Sequence, residues 1–282
     1  MQKLILTEPA VQHPLKQTPY HQWVSPEGEA WALFVRLEQG YLIRFQGLVD
    51  FTVSADAGAI SARPAPGVSN DSLYYLYQNL VQPLVYSQHG RFVLHGSAVE
   101  VDDVALVFLA PTGGGKSTLA AHFAAQGHRF ISDDSVVLTE QGGGDWVEPA
   151  YPAIRLWDDS IEALGLEERS IQPGGEYTRK FEIAVHGSMR FCDKPCPLRH
   201  IYLLGNEDIP EPRLSEVSGS DALLGLLRHS FLLAVGEKSV MADHFERAHG
   251  LVGSAVFHRL DFPRRYDVLP RVRELVLAHT LT

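Results

Sequence analysis

The run Val104-Ala-Leu-Val-Phe-Leu-Ala-Pro-Thr-Gly-Gly-Gly-Lys-Ser-Thr118, continued by Leu119-Ala-Ala-His-Phe-Ala-Ala-Gln126 and then Arg129-Phe-Ile-Ser-Asp-Asp134, decides the reading of the chain. Val104 to Leu109 is continuously apolar, the mark of a strand buried on both faces. Ser117 to Gln126 is rich in helix formers and stops at Gly127, a natural C-cap. A triphosphate cradle between strand and helix needs consecutive inward-pointing backbone N–H groups, and therefore glycines that accept unusual dihedrals. Gly113, Gly114 and Gly115 supply them, and the nucleotide-binding stretch is expected to run from Thr112 to Thr118. Lys116 is placed to reach the β- and γ-phosphates, and Ser117 to offer its hydroxyl to Mg²⁺ at the helix N-terminus. The first glycine of the G-x-x-x-x-G-K-[ST] pattern is replaced by Ala110, which Pro111 holds in the extended conformation expected at a strand exit. A chance Gly-rich turn would not also supply Lys-Ser behind a buried strand, so the stretch predicts an ATP site.

The helix after the loop leads to a second strand ending on Asp133-Asp134. If a right-handed crossover joins the two strands, they are parallel and their C-terminal ends share one sheet edge, where open α/β sheets bind ligands. The two carboxylates then face the phosphates. One can anchor Mg²⁺ with Ser117, while the other accepts a proton from an attacking hydroxyl. Elsewhere an Asp pair reads as a solvated turn, as at Asp102-Asp103 and Asp158-Asp159.

Outward from this core, Trp31 to Leu37, Tyr41 to Phe45 and Val49 to Val53 alternate as strands of a partly exposed antiparallel sheet. From Asn70, a candidate N-cap, Leu73, Leu76, Leu80, Val81 and Leu84 define one helical face that Gly90 closes, with a kink or break allowed at Pro83. Arg91 to Gly96 reads as a strand, as do Val136 to Thr139, Leu198 to Leu204 and Ala255 to Leu260. Helices are expected from Ser220 to Ala234, from Lys238 to Leu251, and at the end of the chain with Val268, Leu269, Val272, Leu275, Val276 and Leu281. The fold class is α/β: a β-rich subdomain over residues 1–69, packed on a catalytic domain over residues 70–282.

The 282 residues are 45% hydrophobic and 21% charged, with net charge −10. No segment approaches the roughly 18 uninterrupted apolar residues of a membrane span, and no basic run works against the acidic field. Membrane and nucleic-acid partners are therefore not expected. Glu8, Pro9 and His13 interrupt any signal-peptide core, which makes the cytoplasm the expected compartment. Cys192 and Cys196 lack the second cysteine pair of a four-thiolate zinc site and read as two reduced thiols near a turn.

His95-Gly96, Pro111 to Thr118 and Gln126-Gly-His-Arg-Phe-Ile-Ser-Asp-Asp134 together resemble the HPr kinase/phosphorylase family, which phosphorylates a serine of a small carrier protein. The shorter relatives that act as peptide kinases in lasso-peptide biosynthesis are more similar still, extending to Tyr151-Pro-Ala-Ile-Arg-Leu-Trp157. The resemblance implies a P-loop kinase core, Asp133 as catalytic base, Asp134 as metal or hydrogen-bonding partner, and His95 as an active-site neighbour. By itself His95 reads equally as a core histidine satisfied by a backbone group. Arg155 is carried over as a phosphate or acceptor contact. Thr118 stands where the HPr enzymes have Glu, and the Arg-Gly-Leu-Gly stretch associated with reversing their reaction has no counterpart, so a one-way kinase is expected.

The leading expectation is an ATP- and Mg²⁺-dependent serine/threonine kinase acting on a peptide or small protein. Alternatives are an HPr-type carrier-protein kinase and a binding protein that holds or slowly hydrolyses ATP. A helicase reading, prompted by Ala-Pro-Thr-Gly, fails on the acidic charge and the lack of a second motor domain. The acceptor is not named by the sequence, and homo-oligomers are left open.

Overall fold

The computed structural model describes residues 4–25, 28–167, 171–173 and 180–280. Two compact units make up the chain: Met1–Gly90 with Gly175–Tyr177 and Leu232–Ala242, and Arg91–Gly174 with Thr178–Phe231 and Asp243–Thr282.

The first unit is a six-stranded sheet of β1 (Leu4–Leu6), β2 (His21–Val24), β3 (Ala30–Leu37), β4 (Gly40–Phe45), β5 (Val49–Ser54) and β6 (Ile60–Pro64). Its order is β1-β6-β5-β4-β3-β2, antiparallel except where β1 joins β6. The alternation has its cause in one buried face: Ile43, Phe45, Phe51 and Val53 are fully buried. On the opposite face Arg44 and Asp50, cross-strand partners, form a forked pair at 2.8 and 2.6 Å. The following helix is capped one residue earlier than expected, by Ser69, whose hydroxyl accepts from the Ser72 amide, and Asn70 becomes its first residue. It runs as α1 (Asn70–Leu76), a π-helical segment Tyr77–Val81 and α2 (Gln82–Gln88). Pro83 falls in the first turn of α2, so the widened π segment meets its missing N–H and no break is needed.

The rest of the chain contributes β7 (Phe92–Leu94), β8 (Gly96–Val101), β9 (Val104–Leu109), α3 (Lys116–Ala125), β10 (Arg129–Ser132), β11 (Val136–Gln141), β12 (Gly144–Val147), β13 (Ala153–Leu156), α4 (Asp158–Ala163), β14 (Ile171–Pro173), β15 (Phe181–Ala184), β16 (Arg190–Phe191), β17 (Cys196–Leu204), β18 (Arg213–Glu216), α5 (Gly219–Arg228), α6 (Lys238–Ser254), β19 (Val256–Asp261) and α7 (Leu269–Thr280). The large sheet is ordered β16-β10-β8-β9-β17-β12-β11-β7, with β19 beside β17 and β18 beside β19. Strands β13, β15 and β14 form a small sheet of their own.

Strands β9 and β10 run in the same direction, as the crossover argument requires, but they are not neighbours. β8 lies between them, antiparallel to both. The consequence for the site is unchanged: β9, β10, β17 and β19 all end on one edge, and β8 begins there. Helix α3 is buried on nearly every side, with Leu119, Ala120, Ala121, Phe123 and Ala124 sealed between two apolar clusters.

Two expectations are corrected. The run Arg91 to Gly96 is not one strand, for the chain leaves β7 at His95 and re-enters the sheet as β8. The helix expected from Ser220 to Ala234 is capped by Ser218 and ends at Arg228. Beyond it Phe231 donates its amide to the Val93 carbonyl at 2.9 Å and Ser230 bridges to Leu94, so this segment takes sheet bonds in place of helical ones. Cys192 and Cys196 are buried free thiols. Leu281 lies outside the described residues, among which no helix is long and apolar enough to cross a membrane.

Candidate functional site

The loop between β9 and α3 folds tightly because its glycines permit it. Gly113 and Gly115 take the left-handed region at φ 82° and 88°. A side-chain carbon on Gly114 would sit 2.6 Å from the Ala110 Cβ and 3.0 Å from the Pro111 carbonyl, so the loop closes over Ala110 only with glycine there. Gly115 is the N-cap of α3 and provides no side-chain cap. The first N–H groups of a helix have no intrahelical partner, and with nothing capping them they and the positive end of the helix dipole form a seat for an anion. The Lys116 ammonium, nearly buried, donates to the Ala110 and Pro111 carbonyls at 2.8 and 3.1 Å. Burial draws its pKa down to about 8 against the pull of Asp133 and Asp134.

The carboxylates at the end of β10 meet this loop directly. Asp133 Oδ1 accepts from Ser117 Oγ at 2.9 Å and from the fully buried Ser97 Oγ at 2.6 Å, while Oδ2 accepts the Arg155 amide at 3.1 Å. It is Asp133, and not Asp134, that holds the Ser117 hydroxyl. Asp134 takes a left-handed φ of 62°, a conformation aspartate tolerates better than most residues, and its Oδ2 pairs with Arg155 Nη1 at 2.9 Å. The two environments separate the pair's proton affinities. Burial and the adjacent Asp134 charge raise the pKa of Asp133. Burial acts the same way on Asp134, but Arg155, Lys180 and His95 outweigh it and hold Asp134 below the ordinary carboxylate value. Such a split is how neighbouring carboxylates take different roles.

His95 lies at the β7–β8 break, with Nδ1 3.0 Å from the Asp134 carbonyl oxygen. That contact requires Nδ1 to carry the proton, leaving Nε2 as the lone-pair nitrogen. Burial, with Lys116 nearby, depresses its pKa to about 4, so the ring is neutral at pH 7. Arg155 is engaged by carboxylates: besides Asp134 it pairs with Glu182, its cross-strand neighbour, at 3.4 Å. Thr118 Oγ1 is turned to Ser160 Oγ at 3.2 Å, which itself meets Tyr266 Oη at 3.1 Å, so this hydroxyl ties α3 to α4. Thr112 is exposed at the mouth of the loop.

Sequence reasoning missed Ser97, Lys180, Glu182 and His229. Lys180 acts electrostatically on Asp133, Asp134, Lys116 and His95. His229 accepts the His95 amide through its own carbonyl and is depressed to about 4 by burial and by Lys116. Only Ser97 carried a signal that could have been used, a hydroxyl one residue beyond the quoted His95-Gly96.

The oxygen donors fit a hard divalent cation: a serine hydroxyl and two carboxylates at a phosphate cradle. No group of three or more His, Cys, Asp or Glu among the described residues could hold a metal by itself, so such a cation would draw other ligands from phosphates and water.

No family model matches the chain. It is similar to proteins named HPr kinase/phosphorylase. The one from Stenotrophomonas maltophilia is 28% identical over 117 residues, 42% of this chain and 35% of that protein. The one from Prosthecochloris aestuarii is 39% identical over 57 residues, 20% of this chain and 16% of that protein. The chain thus spans about a third or less of the length of these relatives. Among solved structures, that of the Hpr(Ser) kinase/phosphatase from Coxiella burnetii aligns over 67% of this chain and 96% of its own, at 14% identity and a TM-score of 0.34.

Proposed function

We propose that this chain is an ATP-dependent kinase that transfers the γ-phosphoryl group to a serine or threonine hydroxyl of a peptide, of the kind processed as a lasso or other ribosomal precursor. The observation that carries the reading is the 2.9 Å hydrogen bond from Ser117 to Asp133, which joins the phosphate loop to a carboxylate one helix away in sequence. An ATP-holding loop alone would fit many proteins. A carboxylate of raised proton affinity beside it adds the group that hydroxyl chemistry needs.

In this reading the acceptor oxygen attacks the γ-phosphorus, the bond to the β,γ-bridging oxygen breaks, ADP leaves, and the hydroxyl proton passes to Asp133. Gly113 to Ser117 hold the β- and γ-phosphates, and Lys116 leaves the Ala110 and Pro111 carbonyls to neutralise the transferring group. For Ser117 and Asp134 to hold Mg²⁺, the Ser117 hydroxyl would have to leave Asp133; the ion, when bound, would supply charge neutralisation across the phosphate oxygens. Arg155 keeps Asp134 ionised, and neutral His95 fixes its backbone. Transfer is one-way. A small carrier protein as acceptor is the second reading, favoured by the names of the similar proteins.

A single-turnover assay with γ-labelled ATP tests both. Label should appear on a precursor peptide bearing an acceptor Ser or Thr; label only on an HPr-like protein selects the second reading, and free phosphate alone, or none, overturns both. Asp133→Asn should slow transfer on the order of a thousandfold while nucleotide affinity stays within about threefold. Retained transfer in that variant removes Asp133 from the role of base.

A further inference from the structure

Because β9, β17 and β19 run parallel, the chain leaving β19 emerges on the same edge as the phosphate loop, as Phe262-Pro-Arg-Arg265. Arg264 lies against the loop. Its Cδ and Nε are 3.5 and 3.7 Å from the place a side-chain carbon on Gly115 would occupy. Arg264 Nη1 donates to the Phe262 carbonyl at 2.6 Å and Nη2 to the Gly205 carbonyl at 3.1 Å, and the guanidinium carbon sits 4.0 Å over the Phe262 ring. These contacts fix the fork in one orientation.

They leave one of its donors unanswered. Nε–H is buried without a hydrogen-bond partner, and the carboxylate paired with it, Glu207, stands 4.0 Å off and is 63% exposed. A guanidinium cannot shed its charge, and a buried donor without an acceptor is costly. A purely structural clamp between the ends of β17 and β19 accounts for Nη1 and Nη2. It does not account for an unanswered Nε–H beside the N-cap of α3. The next residue, Arg265, shows the ordinary alternative: it is exposed and pairs with Asp267.

The geometry points to Arg264 as a nucleotide-binding residue, a fixed cation that takes a non-bridging α- or β-phosphate oxygen of a nucleoside di- or triphosphate held on Gly115; this rests on the nucleotide reading given above. Strand order selects that part of the ligand. Asp133 reaches the loop from the β8–β10 flank, so the γ-phosphoryl group must point there to meet its acceptor. Arg264 comes from the opposite flank, beyond β17, and meets the portion ATP and ADP share.

The test is calorimetric titration of the full chain with ADP and with ATP. Arg264→Gln keeps a long stem and an amide donor for the Phe262 carbonyl but removes the charge. Both dissociation constants should rise roughly ten- to a hundredfold, the range of one charge-assisted hydrogen bond. Arg264→Lys should fall between Arg264→Gln and the unaltered chain. Unchanged ADP affinity overturns the inference, as does loss confined to ATP, which would place the contact on the γ-phosphate. If the unaltered chain binds neither nucleotide, the nucleotide reading fails and this one with it. Should Arg264→Gln not fold, ADP protection of Arg264 from an arginine-selective dicarbonyl reagent, mapped by mass spectrometry, decides the matter. Equal labelling with and without ADP refutes the contact.

Discussion

The six-stranded sheet and the loop edge of the large sheet are both well buried, but they bury different things. On the inner face of β4 and β5 the sealed side chains are Ile43, Phe45, Phe51 and Val53, all apolar. At the loop edge they are Ser97, Lys116, Ser117 and Ser132, held by hydrogen bonds to carboxylates and carbonyls. The first arrangement gives stability that hardly depends on pH, because none of those four side chains titrates. The second holds ionisable groups away from water, which shifts their proton affinities and makes the edge useful and vulnerable together.

Acidification should expose that difference most strongly. Burial holds His95, His122, His200 and His229 near a pKa of about 4, and all four belong to the larger unit. In the smaller unit His21 is also lowered by burial, though it is only partly buried. A histidine whose folded pKa lies below its unfolded value contributes no pH penalty above the unfolded value of 6.5. As pH falls from there, the unfolded chain takes up a proton that the folded chain refuses, so stability declines until about pH 4. For a well-buried ring such as His200 the loss is on the order of 3 kcal/mol. Hydrogen exchange between pH 7 and 4.5 should therefore show protection falling in β8, β9, β17 and α3 before it falls in β3 to β5. Simultaneous loss in both would contradict the contrast.

Phe51→Ala attacks the other side. It removes a fully buried ring in edge-to-face contact with Phe45 at 5.8 Å, and should destabilise by about 3–5 kcal/mol at any pH between 5 and 8. Thermal melts across that range should shift down by the same amount. A pH-dependent shift would mean that an ionisable group shares the cost.

The two regions were also unequally legible in the sequence. β3, β4 and β5 could be read because one face of the sheet is apolar and the other carries Arg44, Asp50 and Thr52, so period and burial coincide. The loop could be read from residue types at fixed spacing. β8 escaped because it is buried along its whole length, Glu100 included, and shows no alternation. Its insertion between β9 and β10 is a matter of pairing at a distance, which no local pattern records. The end of α5 was misjudged because Leu232, Leu233 and Ala234 continue a helical composition, whereas β7 supplies Val93 and Leu94 as sheet partners for Phe231 and Ser230. Lys180 and Arg264 belong to no motif. They reach the loop edge only because β15 and β19 deliver them there, so each looked in the sequence like any surface cation.

Ser97→Ala is the mildest change at the loop edge and isolates what its polar burial is for. The serine donates to Asp133 at 2.6 Å, and that bond favours the ionised carboxylate. Its loss should cost only about 1 kcal/mol of stability, since Ser117 and the Arg155 amide still hold the carboxylate. The larger consequence is chemical. Without the Ser97 donor the pKa of Asp133, already raised by burial and by Asp134, rises further, and the fraction able to accept a proton falls on the acidic side. The acid limb of the transfer rate should move to higher pH, with little change in the rate above it and little in nucleotide affinity. A uniform loss of rate at every pH would instead assign Ser97 to positioning alone, and an acid limb displaced to lower pH would contradict the role given to Asp133.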